Sequence, residues 1–140
     1  MSKTRNGGMK VNVQRLVTVL VYCLIVLGST GLNSVEAAPK VVDFELEIEL
    51  NNHTEFDMEY EVKNHKIEAK YSVPGSATTY GQEAQAMIEP FMNELNLSKD
   101  SNKEELKKLI LSILEVNPKD VDEFELEVKF DTGEKIKIDQ

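Results

Sequence analysis

The chain reads as an α+β open-faced sandwich: a five-stranded, mainly antiparallel sheet with two helices on one face, in the order β-β-β-α-α-β-β. Three observations point there. Apolar and charged residues alternate with a period of two along Val41–Leu50, and the same pattern returns from Phe56 and again from Phe124. Between Ala84 and Leu114 the apolar residues recur instead at three and four, the period of a helix. Asn, Gly and Asp separate these runs as turn residues do. Alternation of this kind describes a sheet covered on one side only, which is what two helices on one face produce.

In chain order, residues 1–37 stand apart. Residues 16–27 are an apolar run preceded by Lys3, Arg5, Lys10 and Arg15, with small residues near Ala37 and Ala38. This is the pattern of a secretory signal peptide, too short to span a bilayer comfortably. The reading is therefore a signal peptide over 1–37 and a single acidic domain over 38–140. If the signal stays uncleaved, residues 16–32 are the one stretch that would touch a membrane. Glu36 is the sole acidic residue before Ala38, whereas four of the basic residues lie there. The domain therefore carries a net charge near −12, against −9 for the whole chain. Such a field opposes binding to nucleic acid and to anionic lipid. Cys23, the only cysteine, lies inside the apolar run, so the domain has no disulfide to rely on.

The first strand sets Phe44, Leu46, Ile48 and Leu50 on one face and Glu45, Glu47 and Glu49 on the other. Asn51, Asn52 and His53 turn the chain, and Phe56, Met58, Tyr60 and Val62 continue the apolar parity opposite Asp57, Glu59, Glu61 and Lys63. A two-residue turn at Asn64 and His65 then pairs Val62 with Ile67, Tyr60 with Ala69, Met58 with Tyr71 and Phe56 with Val73, apolar against apolar throughout. Pro74 and Gly75 end the third strand, and residues 76–79 read as loop.

The first helix follows from Tyr80, with Ala84, Met87, Ile88, Phe91, Met92 and Leu95 on one stripe. Pro90 inside it leaves the carbonyl of Ala86 without a donor, which predicts a kink or a break. Ser101-Asn102-Lys103-Glu104 fits a capping box for the second helix, lined by Leu106, Leu109, Ile110, Ile113 and Leu114 and stopped by Asn117-Pro118. The last hairpin turns at Asp131-Thr132-Gly133 and pairs Val128 with Ile136 and Leu126 with Ile138, which sets Glu127 opposite Lys137. A charge at Leu46 or Leu126 would ruin such a core; a change at Glu47 would not.

These elements resemble the YusW-like family, small exported or membrane-anchored proteins of Bacillus and its relatives. The resemblance runs over about residues 43–139. It rests on Phe44-Glu45-Leu46-Glu47, Tyr60-Glu61, Lys66-Ile67-Glu68-Ala69, Gly81-Gln82-Glu83-Ala84, Asn93-Glu94-Leu95-Asn96-Leu97 and the closing run from Phe124 to Asp131. It implies an exported α+β domain and brings no activity, cofactor or partner with it. Lipid anchoring, common among such proteins, is not matched here, because Tyr22 stands where a lipid acceptor at Cys23 needs a small neighbour.

The residues that carry chemistry are few. Asp131-Thr132-Gly133 is the triplet of retroviral-type aspartic proteases, but the strands and flap such a site needs do not follow it, and a hairpin turn accounts for it. His53 and His65 fall at turns on opposite ends of one strand, about 25–30 Å apart at roughly 3.3 Å per residue, and so form no shared site. No nucleophile, phosphate loop or zinc spacing is present, so no catalytic residue, metal ligand or cofactor is named and the chain is read as a non-enzyme.

The strongest candidate surface is the acidic strand face, Glu45, Glu47, Glu49, Asp57, Glu59 and Glu61. Carboxylates there oppose each other across two strands, with Lys66 and Lys70 expected to offset them from one side and the lysines of the last hairpin from the other. Tyr71, Thr79 and Tyr80, around the loop at 74–81, are the residues best placed to contact a ligand if that segment is more than a connector. The functional expectation is an exported, non-catalytic binding protein of the bacterial envelope or medium that meets an extracellular protein or peptide. A calcium- or metal-responsive secreted protein that uses the acidic sheet face is the alternative, and a small secreted hydrolase a further one.

Overall fold

The computed structural model describes residues 38–140, which form one compact unit. The signal-peptide reading of 1–37 and Cys23 lie outside the described residues. Six strands and two helices make up the fold: β1 (Val41–Leu50), β2 (Glu55–Lys63), β3 (Lys66–Ser72), β4 (Thr79–Tyr80), α1 (Gly81–Leu95), α2 (Lys103–Ile113), β5 (Val121–Phe130) and β6 (Lys135–Asp139). They form one sheet in the order β4-β3-β2-β1-β5-β6, each neighbour antiparallel.

The sandwich architecture is as expected, with one strand more. Thr79 and Tyr80, read as loop and helix start, pair with Tyr71 and Lys70 as β4 before α1 begins at Gly81. Two residues are too few to display a period. Gly81 takes φ +61, a conformation open to glycine at little cost, and this lets the chain leave β4 directly into the helix.

The β2–β3 hairpin turns at Asn64 and His65, both left-handed (φ 51 and 62), as a two-residue turn that follows the sheet twist requires. Val62 meets Ile67, Tyr60 meets Ala69 and Met58 meets Tyr71, in the predicted register. The ladder stops at Asp57 and Ser72, so the expected Phe56–Val73 pair does not form. Val73 instead packs, half-buried, against the core. In the last hairpin Val128–Ile136, Leu126–Ile138 and Glu127–Lys137 are cross-strand partners as read.

α1 runs unbroken through Pro90. One missing hydrogen bond costs less than the burial of Ile88, Phe91, Met92 and Leu95 on its inner stripe returns, and Phe91 meets Phe44 edge-on with ring centroids 6.2 Å apart. α2 is capped one residue later than a capping box would place it. The Asn102 side chain accepts from the N–H groups of Glu104 and Glu105 at 3.0 and 3.2 Å, while the Ser101 hydroxyl accepts from the Ser98 N–H. α2 also stops earlier, where Glu115 turns left-handed (φ 56), and Asn117 opens a short 3-10 turn, Pro118–Asp120, that feeds β5. Lys107 of α2 lies over the Phe124 ring at 5.0 Å. Phe44 and Phe124 share one parity of the sheet, since Phe124 opposes Ile48, so both helices cover the same face.

The core lies between that face and the helices. Phe44, Leu46, Ile48, Met58, Phe124, Leu126 and Val128 are almost fully buried, and every odd-numbered neighbour from Glu45 to Glu49 points the other way. Among the described residues no helix is long and apolar enough to cross a membrane.

Candidate functional site

β1 is the middle of the sheet, and its polar side chains stand on the open face with an acidic strand on each side. In β2, Glu59 opposes Glu45, Asp57 opposes Glu47, Glu55 opposes Glu49 and Glu61 opposes Asp43. In β5, Glu127 opposes Glu45, Glu125 opposes Glu47 and Glu123 opposes Glu49. The sequence reading found the β1–β2 half of this arrangement. It missed Glu123, Glu125 and Glu127, although β5 shows the same alternation, because nothing local in the sequence says that β5 adopts β1 as its neighbour.

Cations sit at the rim of this lattice. The row through Glu45 runs Lys70, Glu59, Glu45, Glu127, Lys137, with a lysine at each end. The row through Glu47 runs Ser72, Asp57, Glu47, Glu125, Asp139, with none. Lys70 bonds to Asp57 and lies 3.3 Å from Glu59, as expected of it. Lys66 does not take the expected part: it opposes Lys63, and it is Lys63 that reaches Glu61, at 2.6 Å. On the other side Lys129 of β5 bonds Asp43 at 2.6 Å and Lys135 lies 3.4 Å from Glu127. The lysines of the last hairpin thus reach the border of the acidic field and leave its centre to carboxylates.

The protonation equilibria follow this layout. Partial burial and then the charges of Asp43, Glu127, Glu59 and Glu61 push the Glu45 carboxyl above its ordinary value. Burial, Glu55, Asp57, Glu125 and Glu123 do the same to Glu47. Lys70 is moved upward, chiefly by its hydrogen bond to Asp57. Between the strands the face is dished, and Glu45, Glu47, Asp57, Glu59, Glu125, Glu127 and Lys137 surround a depression of about 280 Å³; the side chains of Leu46, Met58 and Leu126, which lie beneath it, are buried on the helix side of the sheet. A shallow trough walled by carboxylates suits the charged head of lysine or arginine.

Tyr80, Tyr71 and Thr79 do not form one ligand contact. Tyr80, two-thirds exposed, opposes Lys70 and joins the border of the acidic face, whereas Tyr71 and Thr79 have the opposite parity and turn to the helix side. His53 and His65 flank β2 at its two ends, in separate turns. His53 meets Glu49 at 3.1 Å in solvent. Asp131 of the Asp-Thr-Gly triplet acts locally, its carboxylate accepting from the Lys40 N–H at 3.0 Å and so tying the start of β1 to the last hairpin. Among the described residues no group of three or more Asp, Glu, His or Cys side chains converges on a point that a metal ion could occupy. Carboxylates aligned along a pleated sheet stand in parallel, and a calcium cage needs them to converge.

No curated protein and no solved structure matches the chain. A family model described as YusW-like protein matches residues 42–132, from the start of β1 into the last hairpin, and so takes in every element that builds the acidic face except β6. The match covers well over half of the chain, which belongs to the YusW-like protein family.

Proposed function

We propose that this chain is an exported, non-catalytic binding protein of the bacterial envelope or medium, and that it holds a basic segment of a protein or peptide partner on the acidic face of its sheet. The observation that carries the reading is the row Asp57, Glu47, Glu125, Asp139, four carboxylates side by side across four strands: Lys70 and Lys137 reach its two ends from the neighbouring row, and among the described residues no lysine pairs with the central Glu47 and Glu125. Like charges set opposite each other on a sheet cost about 0.2–1 kcal/mol per pair. A partner that supplies lysine or arginine removes that cost, and removal of a repulsion on binding is itself a source of affinity. The apolar run with its basic flank at residues 16–27 supports export.

The test uses a partner captured from envelope and medium extracts of a Bacillus-type host on the immobilised protein. Replacement of Glu47, Glu59 and Glu61 together by Lys should abolish capture, and raised salt should weaken it steeply. An unchanged set of captured proteins sinks the proposal. Calcium at millimolar concentration should produce neither heat nor a thermal shift; a clear shift would favour the cation-responsive reading instead.

A further inference from the structure

The sheet has two open edges of unequal kind. At one end β4 is two residues long and covers part of β3; at the other, β6 presents its whole length. The hydrogen bonds of the last hairpin say which groups β6 has to spare. The Phe130 N–H donates to the Glu134 carbonyl at 3.0 Å, and Phe124 and Gln140 exchange both bonds at 2.9 and 3.1 Å. Antiparallel alternation puts Val128–Ile136 and Leu126–Ile138 in the same bonded class. Lys135, Lys137 and Asp139 therefore turn their N–H and C=O groups away from β5, toward the edge. Their side chains lie on the open face, and Ile136 and Ile138 are buried on the helix face.

Four lysines gather at this edge of an acidic molecule, interspersed with Glu134, Asp139 and Glu104, which accepts from the Gln140 side chain at 3.1 Å. Lys99 lies 3.5 Å from Glu134 just before β6, and Lys107 bonds the Gln140 side chain at 2.7 Å just after it. The loop ahead of α2 thus reaches the chain just before β6, and the first turns of α2 reach it just after. Lys99, Lys107, Lys135 and Lys137 gather around one strand. Lys135 and Lys137 are more than half exposed and hold Glu127 and Asp139 at 3.4 and 3.8 Å, solvated pairs that an incoming carboxylate displaces at little cost.

We propose that the β6 edge accepts, as a seventh strand, an extended segment of a partner polypeptide in which acidic and apolar residues alternate. The outward groups of Lys135, Lys137 and Asp139 would supply the backbone bonds. The acidic residues would face Lys135 and Lys137, and the apolar ones would continue the Ile136–Ile138 side. This edge borders the acidic face at Lys137 and Asp139, but it binds through outward backbone groups and lysines where the acidic face binds through the carboxylates of β1, β2 and β5, so the two readings are tested by different substitutions.

The full chain is titrated with a capped peptide of about seven residues, the length of an ordinary strand, that alternates Glu and Val. Two comparison peptides alternate Lys and Val, or carry N-methyl groups on alternate amides of the Glu–Val sequence. Binding is read by fluorescence anisotropy and by amide hydrogen exchange. The Glu–Val peptide should slow exchange at the Lys137 and Asp139 amides about tenfold or more and leave Ile136 and Ile138, already bonded to β5, unchanged. Lys135→Glu with Lys137→Glu should weaken binding about tenfold at unchanged circular dichroism, and Glu47→Lys should not weaken it. Equal binding of the Lys–Val or the N-methylated peptide overturns the proposal, as does unchanged exchange at the two amides. Protection that grows with protein concentration in the absence of peptide overturns it too, since the occupant is then a second copy of the chain.

Discussion

A glutamate in the middle of this sheet does two opposite things at once. Glu45 and Glu47 keep one face of β1 in water and so define its register, yet each stands among carboxylates that raise its pKa. A carboxyl whose pKa is higher in the folded state than in the unfolded chain binds its proton more tightly when folded. Its ionisation therefore opposes folding, and stability falls as pH rises from the ordinary carboxylate range through the raised value. Glu45→Gln with Glu47→Gln should accordingly stabilise the protein at pH 7, by up to about 1 kcal/mol for relief of cross-strand repulsion. The gain should vanish near pH 4. Urea midpoints at the two pH values check this, and a gain that persists at low pH would assign it to something other than charge. Glu134 behaves in the opposite sense: its hydrogen bond from Thr132 lowers its pKa, so its contribution is present above the ordinary carboxylate value and lost on acidification.

At the scale of elements, the legible parts are those with a long period. The alternation in β1, β2, β3 and β5 identifies strands because a half-buried strand needs it, and apolar pairing across Asn64 and His65 settles a register without recourse to structure. What escaped was short or non-local. β4 has two residues, and Asn102 and Ser101 are both good caps, so the choice between them rests on how the loop from Ser98 folds back. Asn102→Ala should cost α2 about 1 kcal/mol and Ser101→Ala distinctly less, measured by thermal unfolding; the reverse order would restore the capping box. Leu46, buried at the centre of β1, should cost about 2–5 kcal/mol when cut to Ala, whereas Glu47→Ala, one residue along, should be neutral or stabilising. Equal losses at the two positions would mean that the faces of β1 have been assigned wrongly.

For the molecule as a whole, the candidate site was half visible. The six carboxylates of β1 and β2 were named from alternation alone, but the depth of the acidic field comes from the position of β5, and no local pattern encodes which distant strand becomes a neighbour. The resulting distribution of charge is uneven: carboxylates at the centre of the open face, lysines at its borders and along β6. Two different partners, one basic and one acidic, would be steered to two places on the same sheet. Salt should weaken both associations, and a variant at Glu47, away from the border the two places share, should leave binding at β6 intact, which competition between the two probes would reveal.

The central place of β1 also governs when the fold can close. Among the described strands β1 is synthesised first, and β2, its hairpin partner, follows directly after a short turn. Its second neighbour, however, arrives only after both helices, with Leu50 waiting for Val121 and Val41 for Phe130. Contacts so far apart along the chain are slow to form. Until β5 has emerged, one side of the central strand stays unzipped, and the N–H and C=O groups along it have only water for partners.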